Sequence, residues 1–168
     1  MIRGERTLLR PATDADLDLL VGWFADPEVF RWWDGRPLTR EEVADVYTGR
    51  RRPGVEPFVV EADGVPIGYL QCWQGTETSG GIDMFLVPEA RGRGLGPDAA
   101  RAASGFLLDQ RGWTEVTVDP VVDNLQAIRA FERAGFLPDS EELDDETGKR
   151  VLRMVARREV TDVTPADP

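Results

Sequence analysis

Two hydrophobic periods divide the chain into helices and strands. In some stretches apolar residues return every three or four positions behind a capping residue, which predicts amphipathic helices. In others, short apolar or alternating runs are bounded by Gly, Pro or Asp, which predicts strands. The predicted helices cover residues 13–24, 39–47, 97–110 and 124–135, and residues 26–35 form a helical turn that ends at Gly35. The predicted strands cover residues 6–10, 57–62, 65–73, 81–88, 114–120, 136–138 and 149–157.

Local start and turn signals support these bounds. Thr13 and Thr39 are each followed three residues later by an acidic residue, which is the pattern of a capping box. Asp63-Gly64 is a strong hairpin signal between two apolar strands. Pro97 suits the first turn of a helix, and Asn124 suits an N-cap.

The order of these elements predicts the fold class. Hairpin-connected strands stand beside helical crossovers, so we expect an α/β (α+β) fold with a mixed, mostly antiparallel sheet flanked by helices. At least one parallel pair should flank the helix that begins near Pro97. We expect one domain over residues 1–158, and a disordered tail over residues 159–168. The acidic stretch 139–148 should join the last two strands, and its run 139–146 either is a solvated loop or lines the mouth of a substrate site.

Composition narrows the class of partner. The chain of 168 residues carries a formal net charge of −11, which repels nucleic acid and is compatible with a cationic substrate. An acidic surface also simply keeps a protein soluble. No apolar run approaches the roughly 20 residues that cross a bilayer, and the stretch MIRGERTLLRP has no signal-peptide core. We therefore expect a cytoplasmic monomer or homodimer with no nucleic-acid or membrane partner.

The absence of histidine restricts the chemistry. The chain has no histidine and a single cysteine, Cys72. Ser-His-Asp and Cys-His machinery, His-ligated metal sites and an internal disulfide are therefore excluded, and we expect no metal. A general base must be Asp, Glu, Tyr or water.

A glycine-rich loop lies between a predicted strand and a predicted helix. It reads Arg-Gly-Arg-Gly-Leu-Gly over residues 91–96. Glycines permit positive φ and close backbone approach, the helix start adds oriented N–H groups, and arginines add forked donors. This combination favours a diphosphate, although a glycine-rich turn with solvent-facing arginines has the same letters. The spacing matches neither a Gly-Lys-Ser/Thr phosphate loop nor a G-x-G-x-x-G dinucleotide loop.

Two stretches resemble known motifs of the GNAT superfamily of acetyltransferases. Residues 87–96 resemble its coenzyme A diphosphate loop, Arg/Gln-x-x-Gly-x-Gly/Ala, and residues 124–136 are similar to its fourth motif. The resemblance implies the GNAT fold, with a splayed parallel strand pair, and acetyl-CoA as the cofactor for acyl transfer to a primary amine. The residues that it implies for acetyl-CoA binding are Phe85, Leu86, Val87, Arg91, Gly92, Arg93, Gly94, Leu95, Gly96, Asn124 and Phe131.

Within that superfamily the chain resembles the aminoglycoside 6′-N-acetyltransferases. The resemblance is carried by residues 30–35, 54–71, 81–96 and 118–136. It implies acetylation of a cationic aminoglycoside antibiotic, with the 6′-amine favoured over positions such as 2′, and hence antibiotic resistance. Two alternatives stay open: another amine acceptor, such as a polyamine, a different antibiotic or a protein N-terminus, and a non-catalytic acyl-CoA-binding protein.

Five residues are candidates for the acceptor side of the site. Asp83 lies in the strand GIDMFLV, where a carboxylate is costly unless it is hydrogen-bonded or faces an open cleft. The resemblance implies that Asp83 contacts the reactive amine and acts as the base, and that Asp119 and Gln71 contact the substrate. Asp119 has a structural Asp-Pro turn as its alternative. Trp32 and Trp33 are adjacent, so both should not face the core from one helical turn; one is a candidate to stack on a sugar ring, with core packing of both as the alternative.

The sequence departs from the family pattern at two places. Phe131 stands where many GNAT enzymes carry a tyrosine that protonates the departing thiolate, and phenylalanine has no proton to donate. The thiolate would then leave unassisted, or with a proton from water or Tyr69. Residues 74–80 form a shorter loop than the tryptophan- and acid-bearing one of the similar aminoglycoside enzymes.

Overall fold

The computed structural model describes residues 1–158, so the predicted tail lies outside the described residues. Within them one sheet of eight strands runs in the spatial order β1-β2-β3-β4-β5-β6-β8-β7. The strands are β1 (Ile2–Arg3), β2 (Leu8–Pro11), β3 (Val55–Ala62), β4 (Val65–Gln74), β5 (Ser79–Leu86), β6 (Glu115–Val118), β7 (Leu137–Leu143) and β8 (Arg150–Arg157). The helices are α1 (Leu17–Phe24), α2 (Pro27–Phe30), α3 (Arg40–Tyr47), α4 (Leu95–Gly105) and α5 (Leu125–Arg133).

The pairing of β5 with β6 is the parallel one, and the other neighbouring strands are antiparallel. The Cα pairs of β5 and β6 end at Gly81 and Thr117, whereas β5 stays paired with β4 as far as Leu86. The two parallel strands therefore diverge after Gly81 and open a gap in the middle of the sheet. This confirms the predicted mixed sheet with a splayed parallel pair.

Side-chain alternation divides the core between the two faces of the sheet. Leu70 packs in the larger apolar cluster, with Ala99 of α4 and Phe131 of α5. Its neighbour Tyr69 points to the opposite face and packs with Phe24 of α1 in a second, aromatic cluster. Successive strand residues face opposite sides, so each face requires its own cover of helices. The two faces meet solvent at the gap between β5 and β6.

Most local signals form the structures they predict. Asp63 and Gly64 have φ of 52° and 73°, as a two-residue hairpin of this type requires. Thr39 and Glu42 form a capping box at the start of α3. The helix predicted from Pro97 begins at Leu95 and continues past Gly105 as a π-helical turn to Gln110. Within residues 1–158 no helix is both long and apolar enough to span a bilayer.

The prediction for the acidic stretch 139–148 is wrong in its first half. Residues through Leu143 belong to β7, which pairs with β8 at the edge of the sheet. Six of the seven residues of β7 are exposed, so the strand has no apolar alternation to reveal it. The short strand Ile2–Arg3 was also absent from the prediction, because two residues carry no periodicity.

Candidate active site

The gap between β5 and β6 forms the floor of a cleft of about 840 Å³. Its lining includes residues of the glycine-rich loop, the start of α4, the turn after α2 and the β7–β8 connection. In the sheet it is lined by Gln71 of β4, by residues 82–86 of β5 and by Asp119 just after β6. It is large enough for a ligand of the size of a nucleotide conjugate or an oligosaccharide.

The glycine-rich loop presents a row of backbone donors to the cleft. Gly92 and Gly94 have φ of 72° and 77°, a region that favours glycine, and Gly94 is the N-cap of α4. Within residues 1–158 the N–H groups of residues 92–96 have no hydrogen-bond acceptor. These donors lie at a helix N-terminus, whose partial positive charge attracts anions. The loop therefore has the geometry of an anion site.

The two loop arginines have different surroundings. The Arg91 guanidinium donates to the carbonyl oxygens of Leu86 and Glu28, both at 2.9 Å. It thereby ties the loop to the end of β5 and to α2, so its fork is already used by protein groups. Arg93 is exposed, and its carbonyl oxygen accepts a hydrogen bond of 2.7 Å from Nη1 of Arg6. That both arginines contact phosphate stays a prediction.

Asp83 lies in the splayed part of β5, directly opposite Gln71 of β4. Nε2 of Gln71 donates to Oδ2 of Asp83 at 2.8 Å, and Oε1 of Gln71 accepts from the Tyr69 hydroxyl at 3.0 Å. Gln71 and Asp83 line the cleft. Burial raises the pKa of Asp83, and the hydrogen bonds from Gln71 and the Trp73 indole oppose that rise without cancelling it. Asp83 is therefore a better proton acceptor than an ordinary surface aspartate.

Asp119 lies immediately after β6, across the gap from β5. Although the residue is exposed, partial desolvation in the cleft and the negative charge of Asp83 raise its pKa to about 6. Asp119 and Asp83 repel each other when both are ionised. An ammonium group near them offsets this repulsion, so the pair attracts a cation. That Asp119 contacts the substrate stays a prediction.

Trp32 and Trp33 follow α2 and both line the cleft, but they have different neighbours. Trp33 packs in the aromatic cluster, and its Nε1 donates to the Tyr47 hydroxyl at 2.9 Å. Trp32 is half-buried, with the Arg31 guanidinium 4.7 Å from its ring centre. Trp33 thus packs against the core, as expected of one member of the pair. The Trp32 ring lies outside the aromatic cluster and lines the cleft.

Of the remaining predicted cofactor residues, Phe85, Leu86, Asn124 and Phe131 line the cleft, whereas Val87 and the buried Leu95 are not among its lining residues. Phe85, Leu86 and Val87 follow the last β5–β6 pair, so this edge of the backbone has no strand partner on the β6 side. Oδ1 of Asn124 accepts from the Ala127 N–H at 3.2 Å and caps α5, as predicted. Phe131 is buried against Phe136, with ring centres 5.7 Å apart, and also lines the cleft.

The structure adds residues of the acceptor side that were not singled out from the sequence, although the acidic run was one alternative for the mouth of the site. Asp34, Tyr47, Asp144, Glu146 and Lys149 line the same cleft. The acidic run was the available signal for two of them, because its second half, after β7, turns back toward the cleft. Oδ1 and Oδ2 of Asp144 accept from the Glu146 N–H and the Thr147 hydroxyl, both at 2.8 Å, which fixes this turn.

The family of the chain follows from comparison with known proteins. Residues 12–142 match the family model described as the acetyltransferase (GNAT) domain. The chain belongs to the GNAT acetyltransferase family. Members of this family use acetyl-CoA, which agrees with an anion loop at one end of the cleft.

Relatives and solved structures similar to the chain include aminoglycoside acetyltransferases. The chain is 33% identical to the aminoglycoside N(6′)-acetyltransferase type 1 of Klebsiella pneumoniae over 146 residues, which are 76% of this chain and 72% of that protein. Among solved structures, it is similar to AAC(6′)-Ib in complex with paromomycin and acetyl-CoA, with a TM-score of 0.84, 28% identity and coverage of 98% and 100% of the two chains. A complex of the same enzyme with coenzyme A and kanamycin gives a TM-score of 0.82 at 27% identity, over 95% and 99% of the chains.

Proposed function

We propose that this GNAT protein transfers the acetyl group of acetyl-CoA to a primary amine of an aminoglycoside, with the 6′-amine favoured, and so confers antibiotic resistance. One observation carries the proposal: a single cleft joins the unpaired N–H groups of residues 92–96 to the half-buried carboxylate of Asp83. The relatives named above, which bind aminoglycosides, support this choice of acceptor.

The residues at the loop fit the diphosphate of acetyl-CoA. The N–H groups of residues 92–96 lack acceptors within the described chain, and Gly92 leaves room for close approach. The free backbone edge at residues 85–87 fits the amide groups of the pantetheine arm. When bound, acetyl-CoA supplies the thioester whose acetyl group is transferred, and coenzyme A is released.

Asp83 is proposed as the base. An alkylammonium has a pKa of about 10, so most of the acceptor arrives protonated and cannot act as a nucleophile. Asp83 takes one proton from the ammonium group, directly or through water, and the neutral amine then attacks the thioester carbonyl carbon. The C–N bond forms and the C–S bond breaks. The carboxylate holds the first proton of the ammonium group, the nitrogen loses its second proton to solvent water as the amide forms, and the departing thiolate is protonated from the same solvent.

The acidic side chains at the acceptor end are proposed to bind the other cationic groups. Asp34, Asp119, Asp144 and Glu146 line the cleft together with Glu28 and Asp83, so six carboxylates stand against four basic side chains, those of Arg91, Arg129, Arg133 and Lys149. This excess attracts a molecule with several ammonium groups. Trp32 supplies a flat apolar surface against which a sugar ring can pack.

The departing thiolate is proposed to take its proton from water. Phe131 has no hydroxyl, and the Tyr69 hydroxyl donates to Gln71 from a fully buried ring. Tyr69 is therefore poorly disposed to serve as the acid. A thiol of pKa about 8.5 leaves as an anion more readily than an alcohol would, so an acid is less essential here.

The test is an acceptor screen with acetyl-CoA, read by release of the coenzyme A thiol. We expect turnover with kanamycin- and tobramycin-like aminoglycosides, with acetylation at the 6′-amine by NMR of the product. Asp83→Asn should lower kcat/KM by about 100-fold or more, because it removes the base while keeping the size of the side chain. Turnover confined to polyamines or peptides would contradict the proposal that the acceptor is an aminoglycoside. Coenzyme A binding by calorimetry, with no turnover of any amine, would overturn the enzymatic role.

A further inference from the structure

Tyr69 is a buried phenol next to the proposed base. It lies on β4, is 0% exposed, and packs in the aromatic cluster against Trp33, Tyr47 and Phe85, with ring centres between 5.5 and 5.9 Å from its own. Packing of this kind holds the ring in one position. The hydroxyl consequently has a fixed direction, toward Oε1 of Gln71 at 3.0 Å.

Gln71 connects that hydroxyl to Asp83. Tyr69 and Gln71 are two residues apart on β4 and share one face of the sheet, and Gln71 is paired in register with Asp83 of β5. A glutamine amide has a donor end and an acceptor end, which differ by a rotation of the amide group. Because the Tyr69 hydroxyl donates to Oε1, the NH₂ end is the one that faces Oδ2 of Asp83, at 2.8 Å.

We propose that Tyr69 is a positioning residue for Asp83, which acts by fixing the orientation of the Gln71 amide. The proposal rests on the function proposed above, in which Asp83 is the base. The reverse orientation would place Oε1 against the carboxylate, which favours the protonated acid. Tyr69 therefore keeps the base in its ionised, proton-accepting form.

The hydrogen bonds from Tyr69 to Gln71 and from Gln71 to Asp83 oppose several neighbours that raise the pKa of Asp83. Burial raises the pKa of Asp83, and so does the charge of Glu146 from the β7–β8 connection. Asp119 after β6 shares the cleft and interacts with Asp83 as a like charge. Tyr47 of α3 and Tyr69 and Cys72 of β4 are neutral near pH 7, since burial raises the pKa of each. The hydrogen bond from Gln71 lowers the pKa of Asp83, so its loss should move that pKa upward.

The direct test is an NMR titration of the Asp83 carboxyl carbon in Tyr69→Phe, which removes one oxygen atom and keeps the ring. We expect its pKa to rise by about one pH unit, the scale of one hydrogen bond to a charged group. The acidic limb of kcat/KM should move upward by the same amount, a loss of about tenfold at pH values below the limb. Asp83→Asn identifies the resonance.

Tyr47→Phe is the matched control. It removes a hydroxyl from the same cluster, but that hydroxyl accepts a hydrogen bond from the Trp33 indole and makes none with Gln71. We expect the pKa of Asp83 to stay within about 0.3 unit of wild type in this variant, whatever happens to acceptor KM. An equal rise in both variants would mean that the effect comes from the cluster as a whole, and would overturn the proposal.

Gln71→Ala tests whether Tyr69 acts through the amide. This variant alone should raise the pKa of Asp83 at least as much as Tyr69→Phe, and adding Tyr69→Phe to it should produce no further rise. A shift of the same size in both backgrounds, or no shift in Gln71→Ala, overturns the proposal even if Tyr69→Phe folds poorly. The titration needs no acceptor. Turnover that survives in Asp83→Asn would thus refute the assignment of Asp83 as the base, and failure of the acceptor screen would refute the proposed function; the titration stays readable in either case.

Discussion

Asp83 and Asp119 occupy matching positions on the two parallel strands, each two residues beyond the last paired residues, Gly81 and Thr117. Side chains two residues apart on a strand point the same way, so the splay directs both carboxylates toward one gap. The fold therefore places two acidic groups together without a direct bond between them. Two like charges that share a site do not ionise independently, and the charge of Asp83 raises the pKa of Asp119.

The first prediction concerns Asp119 and the pH dependence of stability. Its pKa is about 6 in the fold, against about 3.9 in an unfolded chain. Between these values the folded protein binds more protons at this site than the unfolded chain, so the contribution of Asp119 to stability falls as pH rises from about 4 to about 6. Asp119→Asn should remove this fall. We expect the free energy of unfolding of the variant, relative to wild type, to increase between pH 4.5 and 7.5 in urea denaturation.

The same substitution separates stability from binding. Asp119→Asn should weaken aminoglycoside binding at pH 7.5 by about fivefold or more, since it removes a charge from the acceptor end. The loss should be smaller at pH 5, where Asp119 of the wild type is itself mostly protonated. A stability difference that does not change with pH would show that Asp119 has an ordinary pKa.

The second prediction distinguishes the two loop arginines. Arg91→Ala removes the hydrogen bonds to the carbonyl oxygens of Leu86 and Glu28, so it should lower the free energy of unfolding by about 1–2 kcal/mol. It should also weaken coenzyme A binding, because the loop is no longer tied to β5. Denaturation in urea and calorimetry with coenzyme A measure the two effects.

Arg93→Ala is its control. The Arg93 guanidinium is exposed and has no hydrogen-bond partner within residues 1–158. We expect stability within about 0.5 kcal/mol of wild type and a salt-dependent loss of coenzyme A affinity. If the two variants lost equal stability, Arg91 would not be the link between the loop and α2.

The contrast between these arginines illustrates what the sequence could predict. The anion loop was predictable because its signal is local: glycines that adopt positive φ, followed at once by a helix start. The use of Arg91 was not, since its partner Glu28 lies 63 residues away in α2. Position in a pattern identified the residue, but only tertiary structure shows which groups its guanidinium contacts.

The acceptor side shows the same division. Asp83 and Gln71 were predictable as neighbours once the hairpin and the next strand were assigned, because the registers follow from short turns. Asp144 and Glu146 reach the cleft only because β7 extends to Leu143 before the chain turns back. The strand β7 is exposed on both faces, so hydrophobic periodicity gave no sign of it. Edge strands of this kind are hard to predict from the pattern alone.

The third prediction concerns the missing proton donor. Phe131→Tyr places a hydroxyl in the cleft, at the position where the resemblance to GNAT enzymes implies a tyrosine. If departure of the thiolate limits turnover, kcat should rise by about tenfold or more. Steady-state kinetics at saturating acetyl-CoA measure it.

Phe136→Tyr is the comparison variant for that experiment. Phe136 is 0% exposed behind Phe131, so a hydroxyl there is buried without reaching the cleft. It should lower stability and leave kcat at or below the wild-type value. An unchanged kcat in Phe131→Tyr would mean that the enzyme does not need an acid at this position.

The fourth prediction concerns the support of the anion loop from behind. Asp98 of α4 is buried, and its carboxylate accepts from the Glu5 N–H at 3.0 Å, the Arg6 N–H at 3.1 Å and the Thr7 hydroxyl at 2.7 Å. These bonds hold the turn between β1 and β2, from which Arg6 reaches the carbonyl oxygen of Arg93. Asp98→Ala should lower the free energy of unfolding at pH 7 by about 2–3 kcal/mol, because it leaves buried donors unpaired. It should also weaken coenzyme A binding.

The pH dependence of this loss tests its cause. Desolvation alone would raise the pKa of Asp98, but the hydrogen bonds from Thr7, Arg6 and Glu5 outweigh it and lower the pKa below its usual value. The stabilisation is therefore present above about pH 4, the ordinary pKa of aspartate, and is lost as the pH falls through the lower pKa of the folded state. The stability gap between wild type and Asp98→Ala should narrow below pH 4 in urea denaturation. Thr7→Val, which removes one of the three donors, should lower the free energy of unfolding at pH 7 by about a third of the loss caused by Asp98→Ala. A gap of constant size down to pH 2 would assign the loss to packing and not to the carboxylate.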